Sequence, residues 1–541
     1  MLSWTLLACA LLNADAPPAA PPSLAIPPTP PSEAASQPAS APSEPEAAPP
    51  AEESANDAFS GSYSLGPFEI SGRGFIQNDL RFVVFERNNI ERQSTYVRNE
   101  TQIMGRLTVA VGEHVKAVAQ ARPLFTGIAR TAEFNDLLDR TKIDPFWIEL
   151  DDAFIELTNV APGLDFKLGR QTAVWGTSDF FNPTNVLNAR DFYDPLTFGR
   201  PISNQMILAR YQTPIDLSFT AIYIPVFRPS RLPTTAPAAF SGGATVADPR
   251  DQRALADLQA FQANTQETFG FPINNTVVPL PKPPAPTIQN GMAGAKIKGS
   301  FLNIDASLSY AYAYWDLPSP THATVTTLRE QAPGSFLPSR VDTVTVIDLT
   351  YPRFHMVGLD FTTSIEKLGG LGFWGEIGLF IPEAVNFSVD YGPDADATLL
   401  QSLYGRALPC SEARPCPVIR KTPFVKATAG LDYTFAKWLY VNAQYIYGFV
   451  DEFGTDFLKH YLMSNIDIKP FGEDYTLRLS GVVNLAADAS AVLFPALILK
   501  PFAGLEIYAG ALLFIAKSST HKFGKPENGS SQVFLRCRFS F

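Results

Sequence analysis

Charge is scarce in this sequence, and so are cysteine and histidine. Only 18% of the 541 residues are Asp, Glu, Lys or Arg, against about 25% in soluble domains, which argues against an ordinary cytosolic enzyme. The balance is acidic, with 53 Asp plus Glu against 42 Lys plus Arg and a net charge of −11. No clustered Lys/Arg stretch is present to neutralise phosphates, so nucleic acid is not an expected partner. The five histidines stand apart at His114, His322, His355, His460 and His521. No H-E-x-x-H, G-x-S-x-G or phosphate loop occurs, so neither an enzyme nor a cofactor is expected. A helix across a membrane is missing too. The most apolar stretch, Val492–Ala516, is broken by Pro495, Lys500, Pro501 and Glu506, short of the roughly 18–20 apolar residues a spanning helix needs.

Proline, phenylalanine and alternation are what the chain does have. Residues 1–16 carry an apolar stretch from Leu2 to Leu12 and end in Ala14-Asp15-Ala16, which reads as a signal peptide. Residues 17–56 hold 13 of the 47 prolines among Ala, Ser and Glu. Such a composition buries too little surface to offset chain entropy, so 17–60 is expected to be a disordered periplasmic tether. Forty residues of extended tether reach roughly 120 Å at ~3.1 Å each, enough for periplasmic or cell-wall contact.

From residue 61 onward the pattern has period two. Leu302, Ile304, Ala306, Leu308, Tyr310, Tyr312 and Tyr314 alternate with Asn303, Asp305, Ser307 and Ser309. Val425, Ala427, Ala429, Leu431 and Tyr433 alternate with Lys426, Thr428, Gly430, Asp432 and Thr434. Runs of this kind argue two-faced strands. They are about ten or more residues long, the length that crosses a bilayer at a tilt. Without spanning helices, only a closed barrel satisfies every backbone group in a membrane. The gaps between strands are short at 112–113, 159–163, 213–214, 367–370 and 436–437. They are long at 126–145, 176–204, 228–290, 315–352 and 384–422. Tight periplasmic turns and long outer loops have that asymmetry. The expected fold is therefore all-β: a transmembrane antiparallel β-barrel of about 18 strands (16–20) over 61–541, preceded by the Pro-rich arm. Both termini then lie in the periplasm of a Gram-negative cell. The 228–290 loop holds 10 prolines and a helical stretch, Asp251–Asn264, with Leu255, Leu258 and Phe261 on one face. It can plug the barrel, pack on its rim or remain a surface loop.

Cys410 and Cys416 are separated by five residues in an expected outer loop, where an oxidising compartment favours a disulfide. No further Cys or His is near them in sequence, so a metal site is not expected. The last strand places Val533, Leu535, Cys537, Phe539 and Phe541 on one face. Its ending on Phe539 and Phe541 resembles the terminal signal read by the barrel assembly machinery.

The most distinctive segment contains Gly169, Arg170, Gln171, Trp175 and Gly176, then Asn182, Pro183, Asn185, Asn188 and Asp191. With Tyr351-Pro352-Arg353-Phe354 and Gly372-Phe373-Trp374-Gly375-Glu376, it resembles a porin-like family of proteobacterial outer-membrane proteins of unknown function, marked by G-R-Q-x-x-x-W-G. The resemblance covers roughly 145–541 and leaves out the arm and the 228–290 insertion. The Asn and Asp residues tie turns, so this loop is read first as a latch holding neighbouring strands. The other reading folds it into the mouth, with Arg170 and Asp191 at a constriction.

Alternation assigns a set of charged side chains to the lumen. Pore-lining candidates are Arg73, Arg106, Lys167, Arg210, Lys296, Lys298, Asp360, Glu376, Lys426, Asp432, Arg478, Arg536 and Arg538. The aromatics Phe75, Phe154, Trp374 and Phe380 share that face. Eighteen strands leave room for water. The expected function is a porin-like channel or transporter for small solutes or amphiphilic cargo across the bacterial outer membrane. Its partners are outer-membrane lipid, the assembly machinery and the solute. An adhesion or assembly scaffold is the alternative, and a barrel-embedded hydrolase is less favoured.

Overall fold

In a computed structural model, residues 61–541 are described except for 86–95, 131–132, 180, 237–245, 265–272, 331–338, 392–401, 403 and 526–527. The expected signal peptide and tether lie outside the described residues.

Eighteen strands close into one antiparallel barrel, the number read from the alternation. In chain order they are β1 Phe68–Phe85, β2 Tyr96–Val111, β3 Val115–Thr126, β4 Phe146–Ala161, β5 Leu164–Gln171, β6 Asn204–Gln212, β7 Leu217–Ile224, β8 Met292–Phe301 and β9 Ile304–Tyr314. The second half comprises β10 Arg353–Ile365, β11 Leu371–Pro382, β12 Phe424–Ala436, β13 Leu439–Tyr447, β14 His460–Ile468, β15 Tyr475–Asn484, β16 Ser490–Phe502, β17 Leu505–Ala516 and β18 Ser531–Ser540. Each pairs with its sequence neighbours. Closure comes from β1, which pairs with β2 on one side and with β18 on the other, Phe75 opposite Ser540 and Phe82 opposite Val533. The terminal Phe541 exchanges backbone hydrogen bonds with Gly74 at 2.7 and 2.8 Å, so the chain end itself completes the seam. A short strand, Gly61–Leu65, folds back on the start of β1.

Period two produces two unlike faces. On β10, Phe354, Met356 and Asp360 are buried, while Val357 and Leu359 between them are exposed. The outward face carries a belt of exposed apolar side chains, among them Ile76, Ile155, Ile207, Leu359, Ile377 and Leu479. Exposed apolar surface this extensive fits a lipid solvent rather than water. Among the described residues no helix is long and apolar enough to cross a membrane.

The two ends of the barrel differ. At one end hairpins are tight; Leu302 and Asn303 link β8 to β9 with φ of 52° and 63°, the left-handed pair of a primed turn that suits strand twist. At the other, loops build a cap. Its five-stranded sheet runs in the order Ile273–Pro281, Arg340–Thr350, Ser319–Glu330, Val385–Tyr391 and Cys416–Ile419. The Cys410–Cys416 disulfide is formed within it. A helix, Pro249–Ala263, starts at Asp248, whose side chain accepts from the backbone N–H of Arg250 at 2.8 Å. Its Asp251 and Asp257 pair with Arg414 and Arg406, and Phe261 meets the Tyr404 ring at 5.4 Å. The 228–290 segment thus joins the cap through this helix and through the strand Ile273–Pro281.

Candidate functional site: a loop strung across the lumen

The segment 172–203 leaves β5 and returns at β6, adjacent strands in the wall. Between them it crosses the barrel. The Glu376 carboxylate on β11 accepts from the backbone N–H groups of Thr177 and Ser178 at 2.6 and 2.5 Å and from the Thr184 hydroxyl at 3.0 Å. On β13, the Gln444 amide donates to the Ser178 hydroxyl at 2.6 Å and the Asn442 amide to Asp179 at 2.5 Å. In the other direction Asp194 reaches β1 and β2, accepting from Arg81 at 2.7 Å and from Arg98 at 2.8 Å. Asp79 completes that cluster, accepting from Arg536 at 2.8 Å and pairing with Arg81. The loop therefore latches to distant walls on both sides as well as to neighbouring strands, where Arg200 faces Glu149 on β4 at 3.7 Å and Trp175 and Leu187 pack against Gly294 on β8.

The local sequence shapes this path. Trp175 is buried in the largest apolar cluster beside Leu187. Gly176 follows with φ of 96°, and a Cβ there would stand 2.5 Å from the Glu376 carboxylate oxygens. Only glycine lets the backbone approach that closely. Asn182 donates to the Trp175 carbonyl at 3.2 Å. Asn188 accepts from the Ala173 N–H at 2.9 Å and donates to the Ile202 carbonyl at 3.1 Å, closing the base of the loop. Asn185 continues the turn begun at Asn182, and Pro183 lies against β11 near Gly378. Gln171 is fully buried and donates to the Lys167 and Met206 carbonyls. Gly169, with φ of 125°, packs onto the Ala153 carbonyl.

Arg170 and Asp191 are not brought together. Arg170 donates to the Ser203 hydroxyl at 3.1 Å, whereas Asp191 faces Arg200 at 3.6 Å and Arg231 at 3.8 Å. The charged contact the loop does make is that of Asp194 with three arginines, Arg81, Arg98 and Arg536. Burial by itself would raise the Asp194 carboxyl, but Arg81 and Arg98 outweigh it and hold the group well below the usual carboxylate range. At Asp179, burial raises the carboxyl above its ordinary value.

The comparisons can now be set beside this geometry. The model of the family described as "Protein of unknown function (DUF1302)" matches residues 96–452. The chain belongs to that family. The match begins before the resemblance seen in sequence, runs through the 228–290 insertion and stops short of the last strands. No curated protein matches the sequence of this DUF1302 member. Among solved structures, the Salmonella typhi OmpF complex with daunomycin aligns at TM-score 0.38 and 8% identity, covering 89% of this chain and 100% of that one. Acinetobacter baumannii OccAB3 aligns at 0.45 and 9%, covering 87% and 99%. Vibrio cholerae OmpT aligns at 0.35 and 9%, covering 89% and 100%.

The lumen side of this DUF1302 barrel is unevenly filled. Near the tight turns, Arg73 is exposed opposite Arg106, which bonds Gln120 and Asp152 at 3.1 Å. Arg210 faces Asp165 at 3.6 Å, and the Lys167 ammonium sits 4.0 Å from the Phe154 ring centroid. Lys296, Lys298 and Asp432 are half-buried. Arg478 forks onto Asp467 at 2.8 and 2.7 Å, and Arg538 stacks 4.0 Å over Phe75. Deeper in, Asp360, Glu376 and Lys426 are only 4% exposed and serve packing contacts: Asp360 bonds Ser307, and Lys426 donates to the Phe449 carbonyl at 2.7 Å. Toward the cap, Phe354, Phe380, Phe424, Trp315 and Phe453 form an aromatic cluster, with Trp315 and Phe453 stacked at 4.5 Å.

Asp79, Arg81, Arg98 and Asp194, the centre of the latch, are absent from the sequence-derived set. Phe75, Gln77, Asp79 and Arg81 occupy alternate positions of one strand, so alternation contains the signal for two of them. Asp151 and Asp152 illustrate the opposite case. A bulge between Gln120 and Ala121 lets both adjacent carboxylates reach arginines, Arg122 and Arg106, at 3.0 and 3.1 Å.

Proposed function

We propose that this protein is an outer-membrane channel that passes small solutes, with the 172–203 loop as its constriction. The observation that carries the reading is the loop's anchorage to walls on opposite sides of β5 through Glu376 and Asp194. A loop that only linked neighbouring strands would have no use for such distant partners. Below it the lumen presents exposed and half-buried charge of both signs, among them Arg73, Lys296, Lys298 and Asp432, the lining expected where water and polar solutes pass.

The same reading places the chain in the bacterial outer membrane, with both termini periplasmic and the C-terminal Phe541 presented to the barrel assembly machinery. The 17–60 arm then reaches toward periplasmic or cell-wall partners. No catalytic role is proposed. Planar-bilayer recording of the purified protein tests the channel. Stable currents blocked by one class of solute support it, whereas silence from both the intact protein and a 172–203 deletion would end it. The cap supports a second reading. Its disulfide-pinned sheet is larger than a constriction requires, and a silent barrel would leave adhesion or assembly as its role.

A further inference from the structure

We propose that the cap carries a binding site for one zinc-class divalent cation, formed by His322, Asp390 and Glu412. These residues come from three chain segments that the sequence separates by up to 90 positions. The sheet register brings them to one face. The strand Ser319–Glu330 runs parallel to Val385–Tyr391, with His322 opposite Ser388 and Ala323 opposite Val389. Ala323 and Val389 are buried at 2% and 7%, so His322, Ser388 and Asp390 point to the other side. Val389 also bridges Ser411 and accepts no slack there, since its N–H donates to the Cys410 carbonyl at 2.7 Å. Glu412 therefore falls beside Asp390. One donor atom from each of His322, Asp390 and Glu412 lies within 4.8 Å of the others.

Three further features fit a cation. The Cys410–Cys416 disulfide closes the short loop that carries Glu412, so that donor is held without needing a long packed segment. Nδ1 of His322 lies 3.0 Å from the Ser388 hydroxyl. That contact leaves Nε2 for a metal and supplies the partner that orients a ligating imidazole. The nearby arginines are engaged elsewhere, Arg414 with Asp251 and Arg420 with Asp248 and Asp456. Among the described residues, no ion pair neutralises Asp390 or Glu412. One neutral imidazole and two carboxylates offer a charge of −2, matched by a divalent ion. The imidazole selects zinc, nickel or copper over calcium or magnesium, whose sites are built from oxygen. Three protein ligands leave coordination positions open to water or an external donor.

Calorimetric titration of the untagged full-length barrel in detergent with Zn2+ and, separately, with Ca2+ tests the assignment. One saturable Zn2+ per chain is expected, with no comparable heat from Ca2+. His322→Ala should weaken Zn2+ binding by at least about tenfold. Glu412→Gln, exposed on its disulfide-closed loop, should weaken it as well and guards against a folding defect in the first variant. His114→Ala and His521→Ala should match the parent. No saturable Zn2+ uptake by the parent, equal uptake by His322→Ala, or binding of Ca2+ as tight as that of Zn2+ would overturn the proposal.

Discussion

Asp194 meets Arg81, Arg98 and Arg536 at 2.7, 2.8 and 3.4 Å, and its ionisation therefore decides whether the crossing loop stays attached. A carboxyl held below its ordinary value of about 3.9 stabilises the attached state fully above that value. The contribution is lost only as the pH falls through the lower bound value. Lowering the pH from 7 to 5 should then leave the hold at Asp194 unchanged, which comparison of parent and Asp194→Asn single-channel traces at the two pH values checks. Asp194→Asn at pH 7 is a different matter, because three guanidiniums lose one of their two shared counter-charges and are left with Asp79. Breaking a buried pair from one side costs about 3–5 kcal/mol. Larger and noisier currents are expected, and traces indistinguishable from the parent would remove Asp194 from the latch. Gly176 controls the opposite anchor. With φ of 96° and Glu376 oxygens 2.5 Å from a would-be Cβ, Gly176→Ala adds strain of roughly 1–3 kcal/mol from the backbone conformation alone. A lower melting temperature is expected, together with the same rise in current noise.

Strands and loops differ in how their placement is encoded. A strand's two faces repeat every second residue, so Leu302–Tyr314 and Val425–Thr434 announce length, orientation and membrane face within a dozen positions, and all eighteen strands are legible that way. The path of 172–203 is not. Asn182 and Asn188 encode turns through bonds to Trp175, Ala173 and Ile202, all within the loop itself. Its wall anchor Glu376 lies 199 residues from Thr177, and nothing local names it. The cap is similar. Val385–Tyr391 and Ser319–Glu330 meet as parallel neighbours, a pairing that no hairpin signal announces. The disulfide was legible because its two halves share one loop, and its effect should be correspondingly local. Closing a loop this short removes about 2 kcal/mol of chain entropy. Cys410→Ser with Cys416→Ser should speed protease cleavage within 405–420 while leaving the barrel's melting temperature unchanged. A matching fall in barrel stability would show instead that cap and wall melt as one unit.

At the scale of the whole molecule, the described residues of 61–541 and a low charge fraction resolve into one wall with two unlike faces. The outward belt is apolar, while the inward side carries Arg478 paired with Asp467 and Arg536 paired with Asp79. If the belt faces lipid, the cost of a charge must depend on depth and face. Leu359 is a discriminating position. It stands near the middle of β10, is 50% exposed, and is flanked in register by Leu308 on β9 and Ile377 on β11. Leu359→Arg should destabilise the folded barrel by about 2–4 kcal/mol, the cost of Arg near a bilayer midplane. The same change at Phe301, beside the tight turn to β9, should cost about 0–1 kcal/mol. Both are exposed apolar residues, so in water neither substitution would leave a core cavity and the two would behave alike. Denaturant titration of folding into phospholipid vesicles measures the difference. A gap of at least about 1 kcal/mol between the variants is required by a membrane-spanning wall, and equal stabilities would mean that the belt is covered by protein rather than lipid.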